Sequence, residues 1–161
     1  MKKLGKLLML WLSAIVTVTG LIGCNGVEKS ENEFDLEQFE NEMKSKGYEY
    51  QSQDVEGGLL APISQYMYLK DNPITDGKQV ILYDTEIVIY SYENIEEMEN
   101  NAILVNEDAS IINKEQPIEI GWPKTPHFYK KGKIIVQYIG HDEQIIKDLN
   151  EIMGEQFAGI K

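Results

Sequence analysis

The sequence predicts an α+β domain of two layers, a mainly antiparallel sheet with about three amphipathic helices on one face. Three observations carry this. Three segments repeat apolar residues at helical spacing behind a capping residue, several short runs rich in aromatic and branched residues are separated by turn signals, and successive runs are joined tightly. Tight joins between strands mean antiparallel pairing, and amphipathic helices need a sheet face to bury their stripes.

The elements follow in order. Asp35 and Gln38 form a capping-box pattern, with Phe34 and Phe39 placed as a hydrophobic staple. Leu36, Phe39 and Met43 then make one helical stripe, which Lys46-Gly47 ends with a cation and a residue suited to a left-handed turn. Residues 48–55 predict a strand, broken by Gly57-Gly58, and residues 64–70, 79–84 and 86–92 predict three more. Asp71-Asn72-Pro73 and Asp76-Gly77 are turn signals between the first two of these. Asn94 with Glu97 repeats the capping arrangement, and Ile95, Met98, Ala102 and Val105 share a second helical stripe. Ile118-Glu119-Ile120 reads as a short strand, and Lys130 to Lys133 joins residues 128–129 and 134–139 as a hairpin. Asp142 caps a third helix, whose Ile145, Ile146, Leu149, Ile152 and Met153 form a broad apolar face ending at Gly154.

The chain of 161 residues has 15 lysines, no arginine and 27 acidic residues, for a formal charge of −12. That balance argues against a nucleic-acid partner, which requires a basic stripe and usually arginine. Its length suits one domain, and its 42% hydrophobic content is ample for a core.

The first residues read as an address. Lys2, Lys3 and Lys6 precede an uncharged apolar run, residues 7–18, which is shorter than the about 20 residues of a membrane span and fits a secretory signal. The run leads to Leu21-Ile22-Gly23-Cys24, which resembles the lipobox of bacterial lipoproteins. The resemblance implies cleavage before Cys24, the chain's one cysteine, and acylation of its thiol. It gives three parts: a signal peptide over residues 1–23, a lipidated Cys24 with a polar tether over 24–33, and a single extracytoplasmic domain over 34–161. The expected location is the outer side of the cytoplasmic membrane, held by acyl chains. Loss of the three leader lysines would move the charge from −12 to −15, so anionic lipid heads should repel the domain and hold it off the surface.

Chemistry-bearing patterns are sparse. If the hairpin turn centres on Lys131-Gly132, His127 falls opposite Val136 and about 17 Å of strand separates it from His141, too far for one metal ion. Carboxylates such as Glu96, Glu97 and Glu99 fall on the polar face of the second helix, as a solvated surface does. Residues 71–77 have several oxygen ligands but lack the spacing of a calcium loop. No catalytic residue, metal or cofactor is therefore expected, and the domain should fold without metal or disulfide.

The aromatic residues suggest more. Tyr66, Tyr68, Tyr83, Tyr90, Tyr92, Trp122, Phe128, Tyr129 and Tyr138 concentrate in the strands, where rings pack a core or floor a shallow recognition surface. Pro123 and Pro126 make the Trp122 to His127 segment rigid and unfit for a central strand. Trp122, His127 and Tyr129 are thus the candidate binding edge, with Trp122 either plugging the core beside Tyr138 and the last helix or projecting a ring for recognition. Residues 126–132, 136–140 and 154–159, with Trp122, resemble a recurrent ending of small uncharacterised bacterial lipoproteins and exported proteins. That resemblance implies a hairpin, a helix and a Gly-framed tail, and brings no activity. The expectation is a membrane-anchored binding or interaction module for an envelope protein or a small ligand. The alternative is a small hydrolase or metal-dependent enzyme using His127 or His141.

Overall fold

A computed structural model of the protein describes residues 34–61, 63–69 and 86–160. Cys24, the leader, the tether, the 71–77 turn and the strand expected over 79–84 lie outside the described residues. The chain order is α1 (Leu36–Ser45), β1 (Tyr50–Glu56), β2 (Ile63–Leu69), β3 (Glu86–Ser91), α2 (Ile95–Ala102), β4 (Ile111–Ile112), β5 (Ile118–Glu119), β6 (Pro126–Lys131), β7 (Ile134–Ile139), α3 (Glu143–Met153) and β8 (Ala158–Gly159). Six strands form an antiparallel sheet in the order β1-β2-β3-β7-β6-β8, and β4 pairs with β5 in a small separate ribbon. The class is α+β, with three helices and a mainly antiparallel sheet.

All three helix starts are capped as their sequences require. Asp35 and Gln38 bond reciprocally, Asn94 Oδ1 accepts from the Glu97 amide, and Asp142 accepts from the amides of Gln144 and Ile145. Phe34 and Phe39 are both buried in the core beneath α1.

The helices do not share one face. Phe39 and Met43 of α1 and Ile145, Leu149, Ile152 and Met153 of α3 pack on Met67, Ile87, Ile89, Val136 and Tyr138. Met98 and Ala102 of α2 pack instead with Val88, Tyr90, Phe128 and Ile135 on the opposite face. The two-layer expectation is corrected to three layers, for a reason visible in the strands. From Ile87 to Tyr90, β3 is buried on both sides, and so is β7 from Ile134 to Tyr138; such strands need cover on each face.

Pairing also departs from the expected register. Lys131 pairs with Ile134 and His127 with Tyr138, not Val136, because the turn consists of Gly132 and Lys133. Gly132 has φ of 56°, and a Cβ there would meet the Phe34 carbonyl oxygen at 2.0 Å. The Lys133 amide donates to that same oxygen at 2.8 Å. Phe34, the first described residue, is therefore seated on the β6–β7 turn. The Gly-framed tail adds a sixth strand, in which Gly159, with φ of 110°, lies against the Pro126 carbonyl where a Cβ would stand at 2.1 Å.

Candidate functional site, an aromatic groove on the second sheet face

Alternation along the strands sets the second face. Across one rung of the sheet stand Gln53, Tyr66, Val88, Gln137, Phe128 and Ala158, by successive pairing of β1, β2, β3, β7, β6 and β8. The far half of this rung, Phe128 and Ala158, is buried in the core that α2 and the segment after it complete. The near half lines a groove of about 470 Å³ with Tyr68, Glu86, Tyr90 and Ile139 from adjacent rungs, walled by Leu59 and Trp122.

The groove is lined by aromatic and aliphatic side chains in equal number, with three polar groups, Gln53, Glu86 and Gln137. Tyr66 and Tyr68 stack with centroids 6.4 Å apart and 27° between ring planes, as side chains two apart on a strand can. At the base, the Tyr90 hydroxyl donates to Gln137 Oε1 at 2.7 Å, and burial pushes its phenol well above the ordinary value. Burial also raises the Tyr66 phenol, with Glu86 adding to the effect, and it raises the Glu86 carboxyl.

Trp122 is half-buried in the wall. Its Nε1 donates to the Ala109 carbonyl at 2.6 Å, and its ring meets Phe128 edge to face at 5.9 Å and 60°. Ala109 itself is buried with φ of 58°, a left-handed conformation that costs an alanine about 1–2 kcal/mol. Trp122 does not plug the core beside Tyr138 and α3, which pack on the other face.

The other two candidate residues are not brought to Trp122. Tyr129 is fully buried on the α1–α3 face, its phenol pushed up to about 12 by burial. His127 is buried and stacks on Tyr138 at 5.8 Å; its Nε2 lies 3.3 Å from the Gly140 carbonyl and its Nδ1 lies 2.7 Å from the Gln156 amide. Turning that amide so that Nε2, otherwise unpartnered, faces Nδ1 satisfies both ring nitrogens with one tautomer. Of Trp122, His127 and Tyr129, the three residues expected at a binding edge, Trp122 alone lines the groove. His141 lies against Thr125, with Nδ1 3.2 Å from its hydroxyl, and the Gly140 amide donates to the Thr125 carbonyl. Both histidines therefore sit at the same end of the β6–β7 pair, closer than the earlier register implied. Among the described residues no three His, Cys, Asp or Glu side chains converge as a metal site.

A second hollow, of about 460 Å³, lies beside the β6–β7 turn. Its cations are occupied: Lys130 pairs with Glu99, while Lys131 Nζ donates to the Ile152 carbonyl and stands 4.5 Å from the Phe34 ring centre.

Gln53, Glu86 and Gln137 were not singled out from sequence. The signal that could have found them is alternation combined with pairing, since each shares its face with a groove tyrosine. Comparison with known protein families, curated proteins and solved structures finds no match to this chain.

Proposed function

We propose that the chain is a lipid-anchored protein on the outer side of a bacterial cytoplasmic membrane, where it acts as a binding module with the aromatic groove as its site. The observation that carries the binding function is the half of the second sheet face that no described element covers, where tyrosines and Trp122 line a concavity, while Phe128 and Ala158 on the same face are buried beneath α2 and the segment after it. Open concave sites with convergent aromatic and polar groups are how proteins hold ligands. The anchor rests on Leu21-Ile22-Gly23-Cys24 after the apolar run. Placement of the domain start supports the orientation. Phe34 sits on the β6–β7 turn, whereas Gln137 and Ile139 stand about 13 and 20 Å along β7 from Lys133 at 3.3 Å per residue. A tether arriving at that turn leaves the groove on the distal part of the domain.

Two experiments test the two halves. Intact mass and detergent partitioning of the native protein should show an acylated Cys24, with Cys24→Ala moving to the aqueous phase; equal aqueous partitioning overturns the anchor. For the groove, a photo-reactive amino acid in place of Gln53 should give a defined adduct on living cells. The same group in place of Lys147, on the exposed side of α3, should give none; identical patterns from both positions overturn the binding site.

A further inference from the structure

Among the described residues the groove has one charged lining group, Glu86 at the start of β3. It is half-buried, and among the described residues no lysine forms an ion pair with it. Burial has removed solvent from this carboxyl and raised its pKa, and an anion taken from water calls for a compensating cation. Tyr66, Tyr68, Tyr90 and Trp122 line the same concavity. The face of an aromatic ring carries negative charge density and attracts cations.

We infer that the groove takes a small organic ligand bearing a quaternary ammonium group, held against the Tyr66, Tyr68 and Trp122 rings and beside the Glu86 carboxylate. This inference rests on the groove being the binding site proposed above. A quaternary ammonium offers no N–H to donate, so ring faces and a carboxylate suit it better than a shell of hydrogen-bond acceptors. A neutral ligand would leave Glu86 uncompensated, and an anion would be repelled both by Glu86 and by a chain with 27 acidic residues against 15 lysines. The cavity of about 470 Å³ lies within the range of small-molecule sites, roughly 300–1,000 Å³. Gln53, exposed at the rim, can bond polar groups elsewhere on the ligand.

The test uses choline and its neutral carbon isostere, 3,3-dimethylbutan-1-ol, titrated calorimetrically into the full chain in nonionic detergent. Choline should bind saturably, about tenfold more weakly in Glu86→Gln and in Tyr66→Leu, which keeps apolar volume and removes the ring. The isostere should bind the unaltered protein about tenfold more weakly than choline, for the same reason. Circular dichroism melts establish that the variants fold, and Tyr68→Leu replaces Tyr66→Leu if the latter does not. Equal binding of choline and isostere, or choline affinity unchanged in Glu86→Gln, overturns the ammonium assignment. The absence of choline binding overturns it as well, and in each of these cases the groove reading is still judged by the Gln53 crosslinking. Choline affinity unchanged in the ring variant places the ligand elsewhere and overturns this inference.

Discussion

Asp148 and Glu86 are two carboxylates on opposite faces of one sheet, and their surroundings pull them in opposite directions. Asp148, on α3, is buried, which by itself would push its carboxyl up. Bonds from Gln144 Nε2 and the Tyr48 hydroxyl, each 2.9 Å from Oδ2, together with Lys46 3.3 Å from Oδ1, outweigh burial and hold it below the ordinary aspartate value. Glu86 is subject to burial alone and is pushed up. The first carboxylate ties the end of α1 to α3 and serves the fold. The second has its cost unrelieved by the described chain, as a group kept for a ligand does. On the α1–α3 face Asp148 is bonded on both oxygens, whereas on the second face Glu86 lines a groove with no cation partner among the described residues.

Of the two carboxylates, the larger effect is expected at Asp148. Asp148→Ala leaves the half-buried Tyr48 hydroxyl without its acceptor and should cost about 1–3 kcal/mol in denaturant melts. The sign of the pH dependence follows from the lowered pKa. The stabilisation is present above the ordinary value of 3.8 and is lost as pH falls through the lower folded value. Asp148→Asn should therefore flatten the acid limb of a stability profile. Glu86 has the reverse sign, because its folded carboxyl is raised above 4.5. Its penalty is complete above the folded value and relieved as pH falls through it, so Glu86→Gln should stabilise the unliganded protein at neutral pH and do little in acid. A loss of stability at neutral pH would show that Glu86 serves the fold after all. Trp122→Phe tests the groove wall. It keeps a ring against Phe128 and removes the bond to Ala109, for an expected loss of about 1 kcal/mol in the same melts.

What the sequence made legible was local. The caps at Asp35, Asn94 and Asp142, the stop at Lys46-Gly47 and the stripe from Ile145 to Met153 follow from spacings within one or two turns, and each is present. Relations across the chain were not legible. Ile111-Ile112 pairs with Ile118-Glu119, and Ala158 reaches back to Phe128, pairings too short to leave a periodic signal. The face taken by α2 depended on β3 and β7 being apolar on both sides. For the site, the prolines mark the irregular stretch that holds Trp122. The expectation that the segment to His127 is unfit for a central strand is corrected, because Pro126 and His127 belong to β6, which pairs with β7 on one side and with the short β8 on the other. His127 and Tyr129 lie one and three residues past Pro126, on the strand positions that face the α1–α3 core, a parity that sequence proximity to Trp122 conceals.

The most direct measurement of the central contrast uses two adjacent residues of β2. Met67 faces the closed core and is fully buried, while Tyr66 faces the groove and is half-buried. Equilibrium denaturation of Met67→Ala should show a loss of about 2–5 kcal/mol, the range for a large apolar side chain truncated in a closed core. Tyr66→Ala should lose less, because part of its ring borders the open groove whereas Met67 is wholly enclosed. Equal losses at the two positions would contradict the division of the sheet into a structural face and a binding face.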